Sequence, residues 1–228
     1  MMTDTSSIKS TRILLVRHGE SLANAGGVTP DHITIPLTEH GHAQAKALAE
    51  ALPCTPTLFL HSPFLRTRQT AEPLLQRFPE VPVEEWPIHE FTYLEPARHN
   101  GTSIEQQMPH ILQYWNREDP VYRDGPGAES FKDFLDRGRV ALDRFTHVAP
   151  GGCVVVFTHG FMMQAFRMLL LFPHATDAEL MSNFRRFHFV HFIENTELVE
   201  LEAFNGQLRM VGQLHLNSFA FQGETSHA

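Results

Sequence analysis

Ile13-Leu14-Leu15-Val16-Arg17-His18-Gly19-Glu20-Ser21 is the stretch on which the reading of this 228-residue chain turns. Four consecutive aliphatic residues are too few for a helix and fit a central strand buried on both faces, as in a parallel sheet. An arginine and a histidine follow at the strand's carboxyl end. In open α/β sheets the crevice beyond those ends is where ligands bind. Position alone therefore marks Arg17 and His18 as site residues. An imidazole can act as a nucleophile near neutral pH, and a guanidinium beside it suits an oxyanion such as phosphate.

The pattern recurs downstream. Cys153-Val154-Val155-Val156-Phe157 reads as a second fully apolar strand, with Thr158-His159-Gly160 at its end and a helix over Phe161–Leu171. Thr57–His61 reads as another strand, and Ser62-Pro63 as the N-cap and first residue of a helix. That helix carries Arg66 in its first turn, near the positive end of its dipole. Thr38 caps a helix with Gly41, Ala45, Leu48, Ala49 and Leu52 on its apolar face. A third strand is expected at Val81–Trp86, and helices over Ile104–Arg117 and Glu129–Val148, with Gly138 a weak point or a close contact. A short helix (Asp177–Phe184) and three strands (Arg186–Ile193, Glu197–Phe204, Gln207–Leu216) complete the order. Strands alternate with helices up to residue 185, which is the α/β class with mixed edges.

The length suits one domain, 1–228, with residues 1–11 and 222–228 as loose ends. Residues 88–127 form an irregular, aromatic-rich insertion that reads as a substrate-facing cap. Within and beside it, Tyr93, Trp115 and Phe161 are read equally as pocket lining or as core. A formal net charge of −8 and the lack of a basic stripe argue against nucleic-acid or acidic-membrane partners. A small-molecule partner, with a homo-oligomer left open, is the expectation. The polar start of the chain lacks a signal peptide's apolar core, so a cytoplasmic location is expected. Two cysteines, Cys54 and Cys153, are too few for a disulfide framework, and Cys153 reads as a buried thiol in a reducing compartment.

If the three strands are parallel neighbours, Arg17-His18, Ser62-x3-Arg66 and Thr158-His159 face one crevice. Two guanidiniums, two imidazoles and a helix N-terminus make an anion site, and phosphate uses them best. One histidine attacks phosphorus in line while the other groups stabilise the equatorial oxygens. A carboxylic acid within reach must then protonate the departing alkoxide and later deprotonate water.

The motif around His18, with Asn24, resembles the signature of the histidine phosphatase superfamily, the phosphoglycerate-mutase-like fold. The resemblance continues through Pro36-Leu37-Thr38-x2-Gly41-x2-Gln44-Ala45 and Ser62-Pro63-x2-Arg66-Thr67-x-Gln69-Thr70-Ala71. It extends to Glu90, Gly127-Ala128-Glu129-Ser130-Phe131, Thr158-His159-Gly160 and Asn195-Thr196-x-Leu198, covering roughly residues 12–205 in order. It implies a three-layer α/β/α sandwich with a mostly parallel central sheet and a phosphohistidine intermediate formed without metal or other cofactor. By that resemblance His18 is the nucleophile, Glu90 the proton donor, and Arg17, Arg66 and His159 the phosphate pocket. Asn24 and the Gly160 amide add contacts. Glu95 is the alternative acid, because spacing in that segment varies within the family.

Blander readings stand beside these. His18 and His159 could be structural histidines at strand ends, Arg17 and Arg66 surface ion pairs, and Glu90 a solvated carboxylate; four motifs converging on one crevice favour the functional reading. Glu129 and Ser130 read as a helix N-terminus, and Glu20 as a residue that holds the site loop. His40-x-His42 in a helix and His188-x2-His191 in a strand both point apart, so neither makes a metal pair. Mutases of the resembled family carry a Trp-Asn after the opening motif and a later Gly-Trp-x-Asp. This chain has Ser21-Leu22-Ala23-Asn24 and Gly26-Gly27-Val28-Thr29-Pro30 there, which favours a phosphatase. Arg98 is the one extra arginine of the cap segment that could hold a second phosphate for mutase-type transfer. A phosphoprotein phosphatase would want an open groove, and a regulatory binding module would be expected to lack a member of the site.

Overall fold

Strand β1 (Thr11–Arg17) is the centre of the molecule, as its apolar run requires. The computed structural model describes residues 10–28 and 30–211. The expected loose ends before residue 10 and at 222–228, and the end of the strand expected over 207–216, lie outside the described residues. After β1 come α1 (Glu39–Ala51), β2 (Leu58–His61), α2 (Leu65–Arg77), the short β3 (Val83–Glu85), α3 (Pro96–His99) and α4 (Ile104–Asn116). They are followed by α5 (Phe131–Thr146), β4 (Cys153–Thr158), α6 (Gly160–Leu171), α7 (Asp177–Val190), β5 (Leu198–Phe204) and β6 (Gln207–Met210).

The six strands form one sheet in the order β3-β2-β4-β1-β5-β6. β3, β2, β4 and β1 run parallel, while β5 and β6 add an antiparallel edge. Register matters most here. Arg17 pairs with Thr158, and both Val16 and His61 pair with Phe157. Three strands therefore end level, and the segments that follow them, starting at His18, Ser62 and His159, emerge side by side.

The two faces of β1 separate by residue parity, as the strand's two-residue period demands. Ile13 and Leu15 join Val154 and Val156 in a core with residues of α5, α6 and α7. Leu14 and Val16 join Val155 and Phe157 against Leu48 and Ala49 of α1 and Ala71 and Leu74 of α2. Both faces are thus covered, giving the expected three layers. Each fully buried aliphatic side chain here contributes roughly 1.5–3 kcal/mol. The larger core also takes in the 88–127 segment through its rings: Phe91 stacks on Phe134 at 4.5 Å, and Trp115 on Phe184 at 5.8 Å. No helix among the described residues is long and apolar enough to cross a membrane.

Three expectations are corrected. The strand expected at Arg186–Ile193 is the continuation of α7 through Val190. Thr176 and Glu179 close a capping box that starts this helix, and Phe184 and Phe187, three apart, keep its buried face going. His188 and His191 consequently lie at a helix end, three residues apart, rather than on opposite faces of a strand. Second, α2 starts at Leu65 with Phe64 as N-cap, so Ser62 is not the cap and Pro63 is not helical. Third, Cys153 is not a free thiol: it forms a disulfide with Cys54. The thiol argument for a reducing compartment falls with it. Gly138 proves to be a close contact, since a Cβ there would stand 3.3 Å from Leu169.

Candidate active site

The loop after β1 is held by its neighbours before any ligand is considered. Gly19 N–H donates to Thr70 Oγ1 at 3.0 Å, and Glu20 N–H to Gln44 Oε1 at 2.8 Å. Thr38 caps α1 by accepting from Gly41 N–H, and its hydroxyl donates to the Glu20 carboxylate at 2.6 Å. Glu20 thus holds the loop, as expected. The first turn of α1 presses so close that a Cβ on Gly41 would lie 2.0 Å from the Glu20 carbonyl oxygen. Only glycine permits that approach.

His18 is 4% exposed, and its two ring nitrogens are assigned by their partners. Nδ1 lies 2.7 Å from the Gly19 carbonyl, which can only accept, so Nδ1 carries the proton. Arg66 Nε donates to His18 Nε2 at 3.2 Å, which requires a lone pair on that nitrogen. Both bonds select the same tautomer, with Nε2 as the basic atom. Burial, together with the charges of Arg66 and Arg17, holds His18 well below the usual imidazole range. It is neutral at pH 7.

His159 stands at the end of β4, its ring 5.1 Å from that of His18 in an edge-on arrangement. Ser62 Oγ sits 2.7 Å from His159 Nε2, leaving His159 Nδ1 buried with no protein partner. This is what occupies the Ser62 hydroxyl in place of a helix cap. Burial and Arg66 also keep His159 well below its ordinary range.

The arginines are anchored through carbonyl oxygens rather than carboxylates. Arg17 Nη1 donates to the Ile193 carbonyl at 2.6 Å, its guanidinium lies over the Phe192 ring, and its Nε is buried without a partner. Arg66 Nη1 donates to the His32 carbonyl at 2.9 Å, and its guanidinium lies over Phe64. Burial pushes Arg66 down to about 10, so it remains a cation at neutral pH. Gly160 opens α6, and a Cβ there would stand 3.5 Å from Arg17 Nε. That helix start and the Arg17 guanidinium are therefore neighbours.

Glu90 joins this group from the 88–127 segment. Its carboxylate accepts from Phe91 N–H at 3.0 Å and from Phe161 N–H, in the first turn of α6, at 3.3 Å. Burial raises its pKa, against the opposing pull of Arg66. Glu95 does something else: it accepts from Ala97 N–H as the N-cap of α3 and from Gly127 N–H at 2.7 Å. Glu129 makes two bonds to Arg137, at 2.9 and 2.8 Å, and Ser130 caps α5. Asn24 is exposed and turned to the loop, where its Oδ1 accepts from Ser21 N–H and Oγ–H. Asn195 donates to the His18 carbonyl at 2.8 Å.

A cleft of about 230 Å3 opens over Arg66 and Glu90. Phe64, His32 and Ile35 line one side, and residues between Phe91 and Gln107 the other. Tyr93 borders it, while Trp115 is buried core and Phe161 packs between Tyr93 and Phe184. His32, Phe64 and the Ser62–His159 bond were not legible as site features. His32 and Phe64 carry no motif, and Ser62 followed by proline reads as a helix cap. No group of three or more His, Cys, Asp or Glu side chains able to hold a metal ion occurs among the described residues. Chemically, the arrangement presents two guanidiniums, an unpartnered imidazole nitrogen and a helix start around one basic nitrogen, with a carboxyl group alongside. That combination suits in-line transfer of an anionic group.

The chain is similar to known proteins in sequence and fold. The chain is 29% identical over 176 residues to an adenosylcobalamin/alpha-ribazole phosphatase of Salmonella typhimurium, covering 72% of this chain and 82% of that protein. It is 28% identical to a 2,3-bisphosphoglycerate-dependent phosphoglycerate mutase of Gloeobacter violaceus, covering 69% of this chain and 74% of the mutase. Its fold matches a phosphoserine phosphatase variant of Entamoeba histolytica, solved with phosphoserine, at a TM-score of 0.68 and 20% identity over 89% of this chain and 95% of that one. The sequence profile of the histidine phosphatase superfamily (branch 1) matches residues 13–213. With its two histidines and two arginines meeting where three strands end, the chain belongs to that superfamily.

Proposed function

We propose that the protein is a phosphatase that hydrolyses small-molecule phosphate monoesters through a phosphohistidine on His18. The phosphoryl oxygens sit among Arg17, Arg66, His159 Nδ1 and the start of α6. Arg66 Nε–H passes from His18 Nε2 to a phosphoryl oxygen, and the Nε2 lone pair so released attacks phosphorus opposite the ester oxygen. A P–N bond forms, the P–O bond breaks, and Glu90 as a carboxylic acid gives its proton to the leaving alkoxide. Glu90, now a carboxylate, takes a proton from water, whose oxygen attacks phosphorus. The P–N bond breaks, and inorganic phosphate and neutral His18 result. The charge on the equatorial oxygens is met throughout by donors already in place, the largest source of acceleration in such sites.

The observation that carries this reading is the pair of bonds that fixes the His18 tautomer, Nδ1–H to Gly19 O and Arg66 Nε–H to Nε2. The choice of Glu90 over Glu95 is supported by position: Glu90 lines the cleft with Arg66 and lies within the electrostatic reach of Arg66 and Arg17, whereas Glu95 is outside that lining and serves as the N-cap of α3. Asn24 serves the loop and Gly160 the phosphate. The mutase reading is weakened because Arg98 is bound to both Asp124 carboxylate oxygens at 3.1 Å, which leaves it turned from a second phosphate. In a chain acting as one domain, the 88–127 segment caps the cleft and receives the alcohol half of the ester.

His18→Ala should abolish phosphate release from p-nitrophenyl phosphate while leaving the circular dichroism spectrum unchanged. Mass spectrometry of quenched wild-type enzyme should find a phosphoryl group on His18. Retained turnover in the variant would remove the nucleophile assignment.

A further inference from the structure

Glu90 changes protonation twice in each cycle of the mechanism above. The N–H groups of Phe91 and Phe161 that meet its carboxyl oxygens therefore cannot hold it equally well throughout, because they bind a carboxylate more strongly than an acid. A constant position has to come from the backbone on either side. That backbone lies between β3 and α3, in neither strand nor helix, so the sheet's ladder does not hold it. Side chains do. Arg137 Nη1 donates to the Pro87 carbonyl at 3.1 Å and to the His89 carbonyl at 2.9 Å. Between them, the hydroxyl of Thr158, the residue before His159, donates to the Ile88 carbonyl at 2.6 Å. Three consecutive carbonyls ahead of Glu90 are thus tied from outside the segment, by bonds that do not titrate with it.

The guanidinium is itself fixed. Its Nε and Nη2 donate to the two Glu129 oxygens at 2.9 and 2.8 Å. Glu129 also grips the far side of Glu90: Oε2 accepts from Thr92 N–H at 3.3 Å, and the Glu129 backbone N–H donates to the Thr92 carbonyl at 2.8 Å. Phe134, three residues before Arg137 on α5, stacks on Phe91 at 4.5 Å. Helix α5 and the residues just before it therefore hold both neighbours of Glu90 and never Glu90 itself. The work needs a planar fork, with a carboxylate on one edge and two carbonyls on a third nitrogen, which an ammonium cannot reproduce. Given the phosphatase reading, we infer that Arg137, braced by Glu129, is a positioning residue that keeps the Glu90 carboxyl group at the leaving oxygen in both of its protonation states.

Arg137→Lys tests this, because it keeps the positive charge that His159 feels and loses the fork. Its kcat for an alkyl phosphate should fall about ten- to a hundredfold with little change in KM, the effect of displacing a catalytic group by about an ångström. For p-nitrophenyl phosphate, whose leaving group needs no proton, kcat should fall by no more than about threefold. In a Glu90→Gln background no acid is left to position, and adding Arg137→Lys should change the alkyl phosphate rate by less than about twofold. Glu129→Gln, which leaves the guanidinium one acceptor oxygen, should show the same selectivity at smaller size, and it decides the matter if Arg137→Lys does not fold. Losses equal on the two esters, or an undiminished loss in the Glu90→Gln background, would make the pair a structural brace alone and overturn the inference. Wild-type enzyme that turns over neither ester would instead sink the phosphatase reading on which it rests.

Discussion

The floor of the cleft and its roof are built by different forces. In the floor, at the ends of β1, β2 and β4, hydrogen bonds fix the candidate site groups: Gly19 O and Arg66 set His18, Ser62 sets His159, and Ile193 O and His32 O set the arginines. Such bonds have direction, so they fix atoms to fractions of an ångström. The roof, residues 88–127, is held mainly by ring packing, with Phe91, Tyr93, Tyr114 and Trp115 in mutual contact. Packing of that kind stabilises a shape yet leaves the groups facing the cleft free to differ in chemistry. On the function proposed above, the floor would decide what reaction occurs and the roof on what.

Glu90 stands at the boundary, and replacing it gives the sharpest test of that division. Glu90→Gln should lower kcat/KM for alkyl phosphates about 10²- to 10⁴-fold, the usual contribution of a positioned acid. For p-nitrophenyl phosphate, whose leaving group needs no proton, the loss should be far smaller. Equal losses on both esters would remove Glu90 from the acid role. The pH profile follows from the two shifts. His18 must be neutral and its pKa is depressed by burial, so activity falls only as pH drops through that low value. Glu90 must be protonated and its pKa is raised by burial, so activity falls as pH rises through it. His18 therefore sets the acidic limb and Glu90 the alkaline one, and Glu90→Gln should delete the alkaline limb alone.

Ser62→Ala probes the floor by itself. Losing the hydroxyl leaves His159 Nε2 buried without its partner and frees the ring to change tautomer, a cost of about 1–3 kcal/mol. Felt in full at the transition state, that is about five- to 160-fold in kcat, and it should be the same for alkyl and p-nitrophenyl esters, because the contact never meets the leaving group. A loss that tracked leaving-group pKa would mean that floor and roof are not separable in this way.

The same division explains what could be read from sequence. Arg17, His18 and His159 were legible because charged residues at the ends of apolar strands have few structural uses, and Arg66 because it stands in the first turn of the helix that follows such a strand. Two helix starts were legible too: Thr38 and Ser130 each accept from the N–H three residues on. The stretch 186–193 was not, because His-Phe-Val-His-Phe-Ile satisfies a strand's alternation as well as a helix's stripe. Exposed Phe189, Val190 and Phe192 remove the contrast that would decide between them. Ser62 misled for a related reason. Ser-Pro favours a helix start locally, but a buried imidazole nitrogen from a strand 97 residues away takes the hydroxyl instead. The side of the cleft formed by Asn100, Thr102 and Gln107 carried no signal, since those residues form no motif.

The Cys54–Cys153 bridge gives the smallest expected change in activity and so tests how independent the floor is of the rest of the sheet. It joins residues 99 apart and ties the segment after α1 to the first residue of β4. A loop of that length constrains the unfolded chain by up to about 4–5 kcal/mol in the chain-entropy account, and native bridges commonly deliver about 2–4 kcal/mol. Cys54→Ser should lower the urea midpoint by a corresponding amount, and reducing the wild type should do the same. Yet Cys153 and Thr158 lie at opposite ends of β4, about 16 Å apart at the usual rise per residue. Val154, Val155, Val156 and Phe157, all buried between β1 and β2, keep the strand in register without the bridge. Turnover of p-nitrophenyl phosphate by the folded, reduced enzyme should therefore stay within about twofold of the oxidised form. A larger fall at a urea concentration where the fold persists would mean that strain at one end of β4 reaches His159 at the other, and the floor would then owe its precision to the sheet's far edge as much as to its own hydrogen bonds.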